Sequence, residues 1–302
     1  MSSIGELITR SRPSIKGRAK NGERSLRPMF FLSLLWIALL IALISLVTLI
    51  VNIYLEGSYR IDGRLFTKYS DSTPSEAGTR AAILGSLWVV GTTAVLSLPL
   101  GIAAAIHLEE FASKKSRLNR FIELNVQNLA AVPAVVYGLL ALAFLTATGV
   151  KNKNIVIAGA FALSLLILPV IIISTREALR AVPQEIRQGS LALGATQLQT
   201  VFRASLPAAT PGIATGAILA LSRAFGEAAP LLLLGAMVFV SFDPNGILSG
   251  YTTMPIQIFN WAGRPQDEFQ DLASAASLLL LVILIFMNGL AIFIRNKFQR
   301  RY

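Results

Sequence analysis

Two residues of opposite charge, Arg223 and Glu227, lie in a mostly apolar stretch of the chain, from Gly212 to Leu234. A charge inside a bilayer costs about 2.5 to 3.5 kcal/mol on the insertion scale, so such residues are usually functional or paired. A guanidinium can offer charge-assisted hydrogen bonds to an oxyanion, and a nearby carboxylate limits how tightly the anion is held. We predict that Arg223 and Glu227 line an anion path. The alternative is a static ion pair, four residues apart, that only fixes helix packing.

One face of a continuous helix would carry both charges. At about 100° per residue from Gly212, Gly216 falls near 40°, Arg223 near 20°, Glu227 near 60° and Pro230 near 0°. Small residues on this face let another helix approach closely, and charges avoid lipid. We expect the face to point into protein or a watery path.

A third charged candidate is Arg176, which stands beside Glu177 at the end of a separate apolar run. An arginine that snorkels to the headgroup level is the ordinary explanation for this position.

The elements that must position these residues are membrane-spanning helices. The chain has 302 residues, of which 54% are hydrophobic and only 14% are charged. Runs of about 20 apolar residues cross the hydrocarbon core of a bilayer. Such runs predict an all-α, polytopic membrane protein with six transmembrane helices near 30–53, 81–107, 126–147, 155–175, 209–239 and 273–294. Pro133 and Gly138 mark the third span for a break at a cavity, with a simple packing kink as the alternative.

The basic residues define an orientation. If the N-terminus is cytoplasmic, the inner segments hold 19 of the 27 Lys and Arg residues, as the positive-inside rule requires of an N-in/C-in protein. The net charge of +11 thus reflects topology and not nucleic-acid binding. We divide the chain into a basic cytoplasmic tail, 1–28, predicted to be disordered and near anionic lipid headgroups, and a transmembrane permease domain, 29–302.

Missing residue types exclude several functions. The chain has no Cys and one His, His107, so we predict no disulfide and no metal site. It has no Gly-Lys dipeptide and therefore no phosphate-binding loop of the Gly-x-x-x-x-Gly-Lys-Ser/Thr type. No nucleophile or carboxylate dyad at catalytic spacing indicates an enzyme.

The segment 181–208, between the fourth and fifth spans, has its own pattern. Pro183 suits the first turn of a helix, Gly194 interrupts it, and Thr196 can cap a second short helix that Leu206-Pro207 ends. Two short amphipathic helices bent at a glycine form a knob that fits a groove of another protein. A helix pair lying on the membrane surface is the alternative.

This segment resembles the cytoplasmic loop of the ABC importer permeases, whose pattern is EAA, three residues, Gly, nine residues, Ile, one residue, Leu-Pro. Gly194 and Leu206-Pro207 match, whereas Gln188-Gly189-Ser190 replaces the EAA triplet and Ala204 replaces the Ile. Other stretches are similar to phosphate ABC importer permeases of the PstA type: Val132 to Leu139, Leu221 to Leu231, and Gln257 to Asp271.

The resemblance covers about residue 30 to the C-terminus, and it implies the type I (MetI-like) ABC importer permease architecture. It also implies that 181–208 is a cytoplasmic coupling segment seated on an ATPase subunit, and it raises the expectation that Arg176 joins the anion path. The residues that stand at the positions of the coupling motif are Gln188, Gly189, Ser190, Gly194, Leu206 and Pro207.

The function implied by the resemblance is that of a permease subunit, itself not an enzyme, in an ATP-driven phosphate importer of the bacterial inner (plasma) membrane. The implied partners are a second permease of the PstC type, two copies of an ABC ATPase of the PstB type, and a phosphate-binding protein of the PstS type. ATP and Mg would be bound by the ATPase, and this chain would hold no cofactor. The alternatives are another oxyanion cargo, sulfate or molybdate, or a self-sufficient secondary anion transporter.

Overall fold

The structure, a computed structural model, describes residues 26–113, 116–237 and 239–298. The predicted basic tail falls almost wholly outside the described residues. The chain divides into two compact units, residues 1–51 and 52–302. In the first unit the described residues form a single helix, α1, which ends in the second unit at Gly57.

The described chain is almost entirely helical, as predicted. The α-helices are α1 (Leu26–Gly57), α2 (Gly63–Thr67), α3 (Arg80–Ile106), α4 (Arg117–Ala130), α5 (Ala134–Ala147), α6 (Val156–Arg180), α7 (Gln184–Ala192), α8 (Gln197–Thr200), α9 (Leu206–Phe225), α10 (Ala229–Leu233), α11 (Met254–Ala262) and α12 (Asp267–Phe298). A 3₁₀ turn follows α1 at Ser58–Arg60, and π-helical turns follow α3 at His107–Phe111 and α8 at Val201–Ser205.

Within the described residues, five helical stretches are long and apolar enough to cross a membrane. They are Phe30–Arg60, Arg80–Phe111, Val156–Arg180, Gln197–Phe225 and Asp267–Lys297. Helices α4 and α5, bent by 110°, pass the same test together. The predicted set of six spans is therefore confirmed when this bent pair is taken as one broken span.

The break between α4 and α5 lies at Pro133, one of the two residues that marked this span. Proline has no N–H to donate to the carbonyl four residues earlier, here that of Leu129, so an unbroken helix would leave this oxygen unpaired. The Leu129 oxygen instead accepts from the Val132 N–H at 3.0 Å and from the Tyr137 hydroxyl at 2.6 Å. The tyrosine thus satisfies a polar group that the break exposes.

The fifth span differs from its prediction because the helix ends early. A continuous helix over 209–239 was expected, but α9 ends at Phe225 and α10 begins at Ala229. Pro230 could not donate to the Gly226 carbonyl in a continuous helix, whereas in the first turn of a new helix its missing N–H costs nothing. The expected common face for Arg223, Glu227 and Pro230 is therefore wrong, since the last two lie beyond the end of α9.

The bend predicted within 181–208 is confirmed. Gly194 follows α7 with φ of 85°, a left-handed conformation that favours glycine. Thr196 caps α8 as predicted: its hydroxyl accepts from the Gln199 N–H at 3.3 Å, and the Gln199 side chain accepts from the Thr196 N–H at 2.9 Å.

The expected stop at Leu206-Pro207 is wrong. Helix α8 continues through the π-helical turn Val201–Ser205 into α9, which begins at Leu206. Pro207 lies in the first turn of α9, where a residue without an N–H is tolerated.

Helix α6 lies at the centre of the packing, between α3 and α9. Against α3, the Thr93 hydroxyl donates to its own helix and also lies 3.4 Å from the Ala160 oxygen of α6. Against α9, a β-carbon at Gly212 would meet that of Ala178 at 2.8 Å, and one at Gly216 would meet that of Ser174 at 2.7 Å. The predicted close helix approach at these glycines is confirmed.

The stretch after α10 returns over the start of α6. The Tyr251 ring is fully buried against Gly159, and the Val156 N–H donates to the Ser249 oxygen at 3.0 Å. Asp243 accepts two hydrogen bonds from Arg80, at 3.0 and 2.5 Å, and these hold the pKa of that carboxyl below its usual range.

Candidate functional site

Arg223 lies in the last turn of α9 with its side chain exposed. Its neighbours Ala220 and Ala224 are buried in the core that α9 shares with α3 and α6. The guanidinium is close enough to the Tyr137 hydroxyl of α5 to interact with it electrostatically. Arg223 is thus held by a packed helix but points away from the core.

The two broken spans meet beside this arginine. A β-carbon at Gly138 of α5 would come within 2.6 Å of the Pro230 Cα of α10, so both helices are in backbone contact within two turns of their breaks. Non-helical backbone at membrane depth is tolerated only where it is covered by protein or lines a water-filled cavity. Discontinuous helices of this kind are where many transporters bind their substrates.

Glu227 lies within the break itself, between α9 and α10, and is half-buried. Its N–H donates to the Ala224 oxygen at 3.3 Å, and the Gly226 N–H donates to the Arg223 oxygen at 3.2 Å. Among the residues that the structure describes, no ion pair joins Glu227 to Arg223. The static ion pair that was the alternative explanation is absent from this conformation.

Arg176 has a different environment, near the end of α6. Its side chain is only 7% exposed, and its guanidinium pairs with Glu109 at 3.3 Å and with Glu123 at 2.8 Å. These carboxylates belong to the π-helical turn after α3 and to α4, respectively. Arg176 therefore ties three helical elements together.

Arg176 and Arg223 are also well separated along the helix axes. Gly212 faces Ala178 and Gly216 faces Ser174, so α6 and α9 are antiparallel. Counted from the contact between Gly216 and Ser174, Arg223 lies seven residues further along α9. Arg176 lies two residues further along α6, which is the opposite direction in space because the two helices are antiparallel. At about 1.5 Å per residue, the axial separation of their backbone positions is about 13 Å.

Two more arginines extend the network of ion pairs. Arg180 pairs with Glu109 at 3.0 Å and with Glu177 at 3.1 Å, while Arg187 of α7 pairs with Glu110 at 2.9 Å. Beyond this pair, Arg187 donates to two main-chain oxygens at the end of α6, of Leu179 at 2.7 Å and Val182 at 2.8 Å. The segment 181–208 is thereby fastened to the ends of both α3 and α6.

A cavity of about 440 Å³ opens between the end of α3, α4 and the end of α6. Three arginines and two glutamates face it, so positive charge is in excess. The lining residues are Leu108, Glu109, Ala112, Ser113, Asn119, Arg120, Glu123, Arg176 and Arg180.

The predicted coupling residues are distributed over the bent segment. Gln188, Gly189 and Ser190 lie on α7, and the Ser190 and Thr200 hydroxyls, 2.9 Å apart, join α7 to α8. Leu193, at the bend, is 90% exposed.

Sequence reasoning missed five members of the ion-pair network: Glu109, Glu110, Glu123, Arg180 and Arg187. A signal was present, because two adjacent acids follow one apolar run and two arginines four residues apart end another. Their pairing depends on which helix ends meet in the fold, and periodicity along one helix carries no such information.

The chain forms a bundle of membrane spans, and two of these spans are broken at points that meet in the fold. Together with the bent segment 181–208, this arrangement defines a membrane transport permease. The family model described as "Binding-protein-dependent transport system inner membrane component" matches residues 97–302. The chain belongs to this family, whose members are multi-pass proteins of the inner membrane.

Known proteins agree with this assignment. The chain is 31% identical to "Phosphate transport system permease protein PstA" of Yersinia pestis, over 93% of this chain and 94% of that protein. Among solved structures, a bacterial alginate ABC transporter matches with a TM-score of 0.63 at 15% identity, over 91% of this chain and 96% of that one. The MetNI methionine ABC transporter in an inward-facing conformation matches with a TM-score of 0.57 at 18% identity, over 72% and 95%. The predicted ABC importer permease fold is confirmed.

The tie between Arg187 and Glu110 should stabilise the fold. Arg187→Gln leaves a largely buried carboxylate without its cation, and we expect this to cost about 2 to 3 kcal/mol. The melting temperature of the purified chain should fall by roughly 4 °C or more. Adding Glu110→Gln should restore part of the loss, because the unpaired charge is then removed.

The matched control is Arg203→Gln, which removes an exposed arginine from the same region. It should leave the melting temperature nearly unchanged. An equal decrease in the Arg187 and Arg203 variants would contradict a specific role for the buried tie.

Proposed function

We propose that this chain is a permease subunit of an ATP-driven phosphate importer. The observation that supports phosphate as the cargo is a sequence similarity. Over more than nine tenths of its length, the chain is similar to a protein named as a phosphate transport system permease. The local chemistry agrees, because a guanidinium donates several parallel hydrogen bonds to phosphate oxygens.

Arg223 is the proposed anion contact. Its guanidinium is exposed at the meeting point of two broken spans, where a carboxylate, Glu227, is close in sequence but does not neutralise it in this conformation. A phosphate passing the break would find fixed positive charge there. We infer that Glu227 limits the affinity by attracting Arg223 once the anion has left.

Arg176 was expected on the same path, and that role stays a prediction. In the present conformation Glu109 and Glu123 already occupy its guanidinium. We therefore assign the first contact with the cargo to Arg223 alone.

The segment 181–208 is the proposed contact with the ATPase. Its knob exposes Leu193 at the bend, and Arg187 fastens it to two spans, so a push on the knob would be transmitted to both. In this arrangement the knob, the N-terminus and the C-terminus face the cytoplasm. ATP binding by the partner would rock the spans between outward-facing and inward-facing states.

The remaining partners follow from the same proposal. A second permease of the PstC type would complete the path, two ATPase subunits of the PstB type would bind ATP and Mg, and a protein of the PstS type would deliver phosphate. Selection against sulfate would then occur in the binding protein, where a desolvated acceptor rejects an ion that has no proton to donate.

The cargo is tested by uptake of labelled phosphate into proteoliposomes that contain this chain with those partners. We expect uptake that needs ATP and that excess sulfate or molybdate leaves unchanged. Competition by either anion would indicate a different cargo. Uptake by this chain alone without ATP would make it a secondary transporter.

Arg223→Gln should lower coupled phosphate uptake by about tenfold or more, since a hydrogen bond to a charged group contributes about 1.5 to 3 kcal/mol. Assembly and ATP hydrolysis should persist. The control, Arg64→Gln, removes an exposed arginine from the short helix α2 and should transport normally. Unchanged uptake in an assembled Arg223→Gln transporter would refute the proposed contact.

Gly194→Val should uncouple ATP hydrolysis from transport. A β-branched residue at φ of 85° strains the bend by about 1 to 2 kcal/mol, so the knob would be displaced. We expect more ATP hydrolysed per phosphate imported, measured in the same proteoliposomes. Gly149→Val, at φ of 77° in a different loop, imposes the same strain, and it should leave the number of ATP molecules hydrolysed per phosphate imported at the wild-type value. The same ratio in both variants would speak against docking at Gly194.

A further inference from the structure

Helix α4 (Arg117–Ala130) divides into three faces with different chemistry. Measured from Leu118 at about 100° per residue, one arc faces α6, a second is polar and a third is apolar. The arc toward α6 holds the half-buried residues Asn119, Glu123, Val126 and Ala130. The polar arc holds Arg117, Arg120, Gln127 and Asn128, with Leu124 between them, and the apolar arc holds Leu118, Phe121, Ile122 and Leu129, with Asn125 between them.

The apolar arc is uncovered in this chain. Leu118 is 65% exposed and Phe121 is 64% exposed, although both are large apolar side chains. The face packed against the protein by contrast carries a charge, because its Glu123 pairs with Arg176 and Arg180. A helix with charges toward its own protein and apolar side chains outward has the reverse of the pattern of a soluble surface helix.

The position of α4 fits the boundary of the bilayer. Helix α6 has 25 residues and is therefore about 37 Å long, against about 30 Å for the hydrocarbon core, so its ends reach the headgroups. Glu123 contacts the last turns of α6, beside the segment 181–208. The chain bends by 110° between α4 and α5, so α4 does not continue the direction in which α5 crosses the bilayer.

We propose that the first half of α4, where the broken span enters the bilayer, binds an acidic phospholipid of the leaflet nearest 181–208. The acyl chains would lie on Leu118, Phe121 and Ile122, and the headgroup phosphate would be bound by Arg117 and Arg120. Both arginines are exposed, and neither has a carboxylate partner among the described residues.

Charge complementarity selects an acidic lipid over a neutral one. Arg120 lines the cavity in which Arg176 and Arg180 are balanced by Glu109 and Glu123, so its own positive charge is the one left in excess on that side. An arginine near a membrane surface contributes about 1 kcal/mol of attraction to anionic lipid, which is about fivefold in affinity for each residue. The inference does not depend on the cargo or on the ATPase.

The absence of cysteine gives a site-specific test. Phe121→Cys in the full chain is labelled with a fluorophore and reconstituted in phosphatidylcholine vesicles that contain brominated phosphatidylglycerol or, separately, brominated phosphatidylcholine at the same fraction. We expect quenching by both lipids, with an apparent affinity at least about fivefold higher for phosphatidylglycerol. Adding Arg117→Gln and Arg120→Gln should bring the ratio close to one.

Two controls separate the site from the general bilayer. Phe286→Cys on α12, an apolar residue that is 70% exposed, should show no such preference between the two brominated lipids. Arg295→Gln removes an exposed arginine at the far end of the same helix, and it should not change the ratio at position 121. Mass spectra of the unlabelled chain should show phosphatidylglycerol retained by the wild type and lost from the double arginine variant.

Other outcomes overturn the proposal. Equal quenching by the two lipids in the parent protein would mean an apolar contact without recognition of the acidic headgroup. No quenching, or quenching that disappears when the transporter is assembled with its partner subunits, would assign the apolar face of α4 to a protein contact. None of these readouts uses transport, so their failure is distinct from a failure of the phosphate proposal.

Discussion

Inside a bilayer a main-chain polar group has no water to bond with, and this constraint governs the two breaks in the fold. Pro133 and Pro230 cannot pair with the carbonyl four residues earlier, and the helices break there, whereas Pro99, Pro169 and Pro211 lie within continuous helices. The protein satisfies one of these oxygens with the Tyr137 hydroxyl and brings the α5 and α10 half-helices into contact at Gly138. The breaks therefore meet, and the polar backbone they expose is concentrated in one place.

The buried charged residues near the ends of α3 and α6 have a different requirement, because each buried charge needs an opposite charge beside it. Arg176 is removed from solvent, so its charge must be matched, and Glu109 and Glu123 match it from two different elements. Arg187 makes the equivalent tie from the segment 181–208. Because each buried charge depends on a partner in another helix, these helix ends resist independent movement. In the proposed mechanism, a force applied to the knob would reach α3, α4 and α6 together.

Local chemistry predicted local structure well. The bend at Gly194 and the cap at Thr196 depend on residues within one or two turns, and both were predicted from the sequence. Pro133 marked a break for the same reason. The error in the fifth span came from applying helix periodicity beyond Gly226, although Pro230 carried the same warning. An apolar pattern indicates that a segment lies in the membrane, but it does not show that the segment is one helix.

The charged residues were harder to interpret because their roles depend on contacts distant in sequence. Arg176, Arg223 and Arg120 are the same residue type near the ends of apolar or amphipathic helices, and each has a different environment. Arg176 has two carboxylates within 3.3 Å, Arg223 is exposed beside a break, and Arg120 is exposed next to an apolar helix face. Of these three arginines, Arg176 alone has its charge neutralised by carboxylates of the described chain. An exposed guanidinium without a carboxylate partner can take an anion from outside the chain, and the proposed anions are a cargo at Arg223 and a lipid headgroup at Arg120.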